Sequence, residues 1–404
     1  MHDTATTQCT HGQMGSHARP ENVVRYHSRA YCRRINRTNG TKHCNQAAPT
    51  SLGVPMYFRR SLVTAVAIAA VGLSMVPALT TASASASAAS LGFNTPWGIA
   101  VSGQNAFVVN KGQLTNPYKN SVTEFNTQTG ALVRVLSAKN YGFNDPIAIA
   151  ISGQDAFVTN YHGASVTEFD TTTGALVRVL SAKNYGFANP LSIAVSGNNA
   201  LVVNDKNFSV TEFNTQTGAL VRVFHLPGTG GSSPGEIAVA GDNAFVPNVL
   251  DNAVTEFNTQ TGAIVRVLSA KSYGFNTAYN IAVSGNIAVV SNIIGNTVTE
   301  FNTDTGALLR VLSTKSYGFH TPGAIAFVGD NAFVANVSCC AANYLTEFNV
   351  QTGALVRTLN APRYGFNGPA DIAVSGNSAF VTNQYANSVT EFNTDTGALV
   401  RVLK

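Results

Sequence analysis

One unit recurs through most of this chain and restricts its fold more than any other feature. The stretch SVTEFNTQTGALVRVLS at residues 121–137 returns in six further variants, each with Glu ten residues before Arg. With the Arg as phase marker, the copies fall at Arg134, Arg178, Arg222, Arg266, Arg310, Arg357 and Arg401, in steps of 44 residues except one of 47. Repeats of this length specify one supersecondary unit that buries its faces only by stacking on its neighbours. Each unit reads as four short strands. In the second copy they are IAIAIS (147–152), DAFVTN (155–160), SVTEFD (165–170) and ALVRVLS (175–181), rich in β-branched and aromatic residues and separated by Gly, Asn or Asp turns. The first strand is apolar at successive positions, which predicts burial on both faces, whereas the last two alternate more. Four strands per ~44 residues, seven times over, predict an all-β, seven-bladed β-propeller with four antiparallel strands per blade. The first unit starts on its inner strand and the last ends on its outer strand. Closure should therefore come from blade seven packing on blade one, with no strand shared between the chain ends.

The repeated charges fit a structural role. Gln128-Thr129-Gly130 suits a three-residue hairpin loop, with Gly in the left-handed position. That register sets Glu124 opposite Arg134. It likewise pairs Glu168 with Arg178, Glu212 with Arg222, Glu256 with Arg266, Glu300 with Arg310, Glu347 with Arg357 and Glu391 with Arg401. Seven equivalent pairs around an outer wall cannot converge on one substrate. As cross-strand ion pairs they are worth roughly 0.2–1 kcal/mol each, and they help hold the register. The Asn that ends each second strand, such as Asn160 and Asn204, is expected to satisfy backbone groups in the following turn.

At the second strand a family resemblance enters. AFVVN (106–110), AFVTN (156–160), LVVN (201–204), AFVAN (332–336) and AFVTN (379–383) resemble the motif of YVTN-family β-propeller repeats, with Tyr replaced by Phe or an aliphatic residue. The P-x-x-I-A-V lead-in is similar to NHL repeats. The resemblance covers residues 91–404 and implies the propeller architecture. It does not imply one activity, because such propellers include binding modules, surface proteins and several enzyme types. The blades are expected at about 91–140, 141–184, 185–228, 229–272, 273–316, 317–363 and 364–404.

Ahead of the repeats, residues 56–88 read as a signal peptide. Arg59 and Arg60 precede the apolar run SLVTAVAIAAVGLSMVPAL, and TTASASASAAS offers small-x-small cleavage sites. FRRSLV is also a weak twin-arginine match, so either the general secretory or the twin-arginine route is open. Met56 is the expected start, with residues 1–55 a mis-assigned or disordered extension carrying Cys9, Cys32, Cys44 and five of the eight His. The expected location is secreted, extracellular or in the cell envelope, with no stable membrane span after cleavage and a monomeric state. The formal charge of +5 is an end effect: residues 88–404 carry 16 basic and 18 acidic side chains. That balance lacks the basic stripe of a nucleic-acid surface, so no nucleic acid is implied.

Differences among the copies show where function has room. The turns SGQN, SGQD, SGNN and GDN, and the hairpin NTQTG, barely change. In an up-and-down blade they share one side of the ring. Variation collects on the other side, in 111–120, 225–235 and 337–343, and at one inner-strand position occupied by Gly98, Ala148, Ser192, Glu236, Asn280, Ala324 and Asp371. Loops and rims on a rigid scaffold are usual places for recognition. Trp97, Tyr279, Ser192 and His162 are the candidate partner-binding residues. Glu236, Asn280 and Asp371 offer hard oxygen donors of the kind calcium or magnesium takes. The trio is similar to the Glu/Asn/Asp metal site of gluconolactonase-like propellers, although a wet, polar channel mouth explains the same residues. No His pair has zinc-like spacing, and neither a nucleophile elbow nor a phosphate loop is present. Cys339 and Cys340 are adjacent and could form a strained vicinal disulfide outside the cytoplasm. Two readings result: a secreted scaffold for a protein or glycan partner, or a lactonase- or lyase-like enzyme using a divalent cation. A purely structural envelope protein is a third that the residues do not separate from the first.

Overall fold

The structure is a computed structural model that describes residues 90–112, 120–228, 233–269, 271–337, 343–360 and 362–404. The signal segment, the N-terminal extension, and Cys339 with Cys340 lie outside the described residues. Seven four-stranded antiparallel sheets follow one another, each built from four consecutive strands. Blade one runs through Pro96–Ser102, Asn105–Asn110, Ser121–Asn126 and Leu132–Ser137. The inner strands contact one another around the ring, with Pro369–Ser375 of blade seven against Pro96–Ser102. The chain is thus a closed seven-bladed propeller, and no strand is shared at the closure.

Burial within a blade differs in one respect from the sequence expectation. The second and third strands are the fully buried ones: Ala106–Asn110 and Ser121–Phe125 are buried throughout. The second half of each inner strand is only partly covered, because it lines the central channel. The outer strand leaves Leu132, Val133 and Val135 exposed, and the same three positions are exposed in blades two, three and four. The hydrophobic core accordingly lies between blades. Phe107 packs on Phe169 of the next blade with ring centroids 5.9 Å apart, and Phe157 on Phe213 at 5.6 Å. Phe380 of blade seven meets Phe125 of blade one at 5.7 Å, so the closing interface repeats the same contact. Leu91, Phe93 and Ile99 join Val389 and Leu403 in that cluster, and Leu91 N–H donates to the Lys404 carbonyl at 2.7 Å.

The Glu–Arg pairs form in all seven blades, with Glu124 opposite Arg134 and so on to Glu391 and Arg401. The register arises differently from the expected three-residue loop. Asn126 pairs with Ala131 across a four-residue turn, and a bulge between Glu124 and Phe125 then restores the alignment. Arg134 Nε lies 2.8 Å from Glu124 Oε2, and the carboxylate is fully buried. The guanidinium also reaches the next blade. Arg134 donates to the Thr172 carbonyl at 2.8 Å, Arg222 to Gln260 at 2.6 Å and Arg357 to Asp395 at 2.7 Å. Arg401 crosses the closure to the Gln128 carbonyl of blade one at 2.7 Å. The hairpin Gly permits this approach. Gly174 has φ 76°, and a Cβ there would fall 2.5 Å from Arg134 Nη1. The repeat motif is therefore a staple between blades as well as a pair within one.

Linker residues add a second clasp. Tyr141, Tyr185, Tyr273 and Tyr364 donate their hydroxyls to Gly174, Gly218, Gly306 and Gly397 carbonyls at 2.5–2.6 Å. At the step from blade three to four, where the linker differs, Phe224 packs on Phe257 instead. The strand-ending Asn reaches the preceding linker and the third strand rather than the backbone of the following turn: Asn160 Oδ1 accepts from Asn144 N–H, while its amide donates to the Ser165 and Thr167 hydroxyls.

Candidate functional site

Inner-strand starts and the turns after the second strands share one face of the ring. Lys111 N–H donates to the Thr95 carbonyl and Tyr161 N–H to Asp145, which tie each such turn to the linker beneath it. On the opposite face Thr127 N–H donates to the Gln104 carbonyl, joining the two invariant turn sets. The described ends of the divergent segments therefore lie on the face that carries the inner-strand starts.

The channel mouth opens on a cavity of about 100 Å³ lined by the inner strands. Trp97, Ser192, Glu236, Tyr279 and Asp371 contribute to its wall, together with aliphatic residues such as Ile147 and Leu191. Blade four delivers Glu236 by a local departure from the repeat. In blades two, five and seven the equivalent backbone N–H donates to Thr159, Ser291 or Thr382 of the second strand. Blade four has Pro247 at that place, and Glu236 N–H turns to the Tyr279 carbonyl of blade five at 2.9 Å. Its regular inner strand is shortened to Ala238–Ala240. Gly235 is required for this shift, since a Cβ would stand 2.0 Å from the Tyr279 carbonyl oxygen.

The polar groups of the mouth bridge neighbouring blades. Asn280 Nδ2 donates to Glu236 Oε2 at 2.7 Å. Asp371 Oδ2 accepts from Ile99 N–H of blade one at 3.0 Å, and Oδ1 from Ile372 N–H at 2.8 Å. Ser192 Oγ accepts from Ile237 N–H of blade four in the same way, at 3.2 Å. Burial pushes Glu236 up to about 8, and the nearby Asp371 charge adds to the rise. Asp371 is raised by burial to about 6, with its two backbone donors acting in the other direction. Burial and the surrounding acidic groups hold the Tyr279 phenol far above its usual range. Tyr161 donates to Asp205 Oδ2 at 2.5 Å, and Ser233 donates to the other oxygen at 3.0 Å.

The sequence pattern of the outer membrane protein assembly factor BamB family (PQQ_2) matches residues 118–359, more than half of the chain. The chain belongs to this family. No curated protein matches it significantly. Among solved structures it is similar to hydrazine synthase of Kuenenia stuttgartiensis, with a TM-score of 0.60 at 16% identity over 75% of this chain and 96% of that one. A functionally unknown protein from Desulfotomaculum acetoxidans DSM 771 gives 0.57 at 18% identity over 70% and 92%. The computationally designed protein Ika8 gives 0.52 at 16% over 76% and 86%. At these identities the likeness is one of fold.

In this BamB-family propeller the candidates singled out from sequence divide into two groups. Glu236, Asn280, Asp371, Trp97, Tyr279 and Ser192 meet at the channel mouth. His162 stands apart on the rim, half-exposed, with Nδ1 2.6 Å from Asp145 Oδ2. In the proposed metal trio, the Asn280 amide nitrogen and two backbone N–H groups point at the carboxylate oxygens. Among the described residues no group of three or more His, Cys, Asp and Glu side chains could hold a metal ion. Also among them, no helix is long and apolar enough to cross a membrane. Sequence reasoning passed over Tyr161, Asp205 and Lys111. Lys111 Nζ lies 4.8 Å from the Trp97 ring centroid and 3.5 Å from Asp145 Oδ1. Their signal was available: each departs from its counterparts in the other copies at the positions just after the invariant Asn.

Proposed function

We propose that this chain is an exported propeller scaffold that recognises a partner, protein or glycan, through the face around its channel mouth. One observation carries the reading. Seven near-identical blades repeat every turn of one face, whereas the non-repeated side chains gather on the other. A scaffold that needed only stability would have no use for Glu236 in a distorted strand. The family's named member is an assembly factor for outer membrane proteins, which supports a protein partner and an envelope or extracellular location. The likeness of the second strand to YVTN repeats, and of the inner-strand lead-in to NHL repeats, fits the same role.

The test is affinity capture from envelope extracts with the exported chain and two variants. In one, residues 111–120 and 337–343 are shortened to the YHGA-type turn of blade two. In the other, the invariant hairpins of two blades carry Gln128→Lys and Gln260→Lys. Loss of a partner in the first variant and retention in the second is the expected result. Equal recovery in all three would refute the assignment of this face.

A further inference from the structure

Building on the reading of this face as the recognition surface, the central cavity specifies the chemistry of what enters it. Two sets of carboxyl groups matter here, the Glu of each third strand and the pair in the channel. The seven strand Glu residues each have an Arg Nε within about 3 Å. Glu236 and Asp371 have no cationic side chain within ion-pair distance among the described residues. Buried anions are ordinarily paired, because removing a lone carboxylate from water is costly.

Comparison of the blades shows that folding does not demand these two charges. Gly98, Ala148, Ser192, Asn280 and Ala324 hold the same place in blades that close equally well. Asp371 does bridge to blade one through Ile99 N–H, but Ser192 makes the corresponding bridge with a neutral hydroxyl. The charge exceeds what the hydrogen bond needs. Both carboxyl groups line one cavity whose wall also carries Trp97 and Tyr279, the aromatic surface that favours a cation. The chain's own Lys111 ammonium already rests against the Trp97 ring at the rim.

We propose that the central cavity binds the head of a primary ammonium cation, held between Glu236 and Asp371 with Trp97 and Tyr279 as its aromatic wall. The cavity of about 100 Å³ accommodates an ammonium head with the first carbons of its chain. An ammonium supplies three N–H donors, and each carboxylate oxygen that already accepts one N–H keeps a second lone pair to receive another. The ammonium comes either from a free amine or from a lysine side chain of the partner.

Trp97 is the only Trp in the chain and lines the cavity, so its emission reports occupancy directly. The full-length protein is titrated with ethylammonium, with Nα-acetyl-lysine amide and with calcium chloride at constant ionic strength. A saturable change with either amine is expected, and E236Q and D371N each weaken it about tenfold or more. Saturation by ethylammonium alone identifies a free amine as the source. Saturation by the lysine derivative identifies a protein side chain. Circular dichroism checks that each variant is folded, and the wild-type titration decides the matter even if neither is. Absence of a saturable response to both amines overturns the proposal and leaves the carboxyl pair satisfied by a shared proton. A response to calcium alone also overturns it, in favour of a metal. Neither failure touches partner capture by the outer loops, which is measured separately.

Discussion

The blades form an internal mutant series, and Asp155 is its most informative member. In blades one, three, four and six an Asn at this position donates to the strand Glu: Asn105 to Glu124, Asn199 to Glu212, Asn243 to Glu256 and Asn331 to Glu347, at 2.6–2.8 Å. Blade two has Asp155, which has no amide to donate and is paired across strands with Asp170. Burial pushes Glu168 up to about 7, with Arg178 opposing and Asp155 adding to the rise. Asp155→Asn restores the donor. A hydrogen bond to a charged group contributes about 1.5–3 kcal/mol. The lost attraction between Asp155 and Arg178, which is largely solvent-screened, costs about 0–1 kcal/mol. The expected net gain is about 1–2 kcal/mol, or a Tm rise of about 2–4 °C for a domain of this size. The pH dependence follows from the raised value. Between the ordinary Glu range and pH 7 the folded state binds more protons than the unfolded state, so stability is lost as pH rises through 7. The substitution lessens that loss, as the Asn donor opposes the effect of burial in blades one, three, four and six. Its benefit is therefore larger at pH 8 than at pH 5. Thermal and urea unfolding at both values give the measurement, with Asn199→Asp as the converse in blade three. Equal effects at the two pH values, or stabilisation by Asn199→Asp, would refute the account.

Further outcomes are expected elsewhere. Arg401→Ala leaves Glu391 buried without its cation and removes the clasp onto Gln128, at a cost of about 3–5 kcal/mol. Hydrogen exchange should then rise at Leu91–Phe93 and Leu403, and unchanged protection there would show that Arg401 does not hold the closure. Glu236→Gln removes a carboxyl raised to about 8, so relative to wild type it should gain more stability at pH 9 than at pH 6, and least near pH 4.5, read by urea unfolding. Tyr273→Phe deletes one inter-blade hydrogen bond and should cost about 1 kcal/mol in the same assay, whereas a loss of several would assign the ring more than this contact.

Much of the architecture was legible because the repeat enforces it seven times. Strand number, blade boundaries near the Arg markers and the facing of Glu and Arg all follow from short-range pattern. The unforeseen features are long-range. Whether the strand Glu is exposed or buried depends on the next blade covering it, and the Arg–carbonyl clasp joins residues such as Arg134 and Thr172 that lie 38 residues apart in successive copies. Burial of the inner strand was overestimated, because an apolar run reads the same whether a strand faces a packed sheet or a channel. At the site, the divergent inner positions were visible as departures from the repeat. The turn of Glu236 toward Tyr279 was not, since its acceptor is a carbonyl of the neighbouring blade.

Residue order alone determined that this chain builds seven equivalent blades and confines its individuality to one face, because strand period, turn chemistry and charge pairing act over a few residues at a time. Only the closed ring decided that two carboxylates from blades four and seven, 135 residues apart in sequence, share one small cavity with the single Trp. Their proximity, and with it the elevation of Glu236, is a property of ring closure: burial and mutual repulsion act through space, and no local stretch of the chain encodes them.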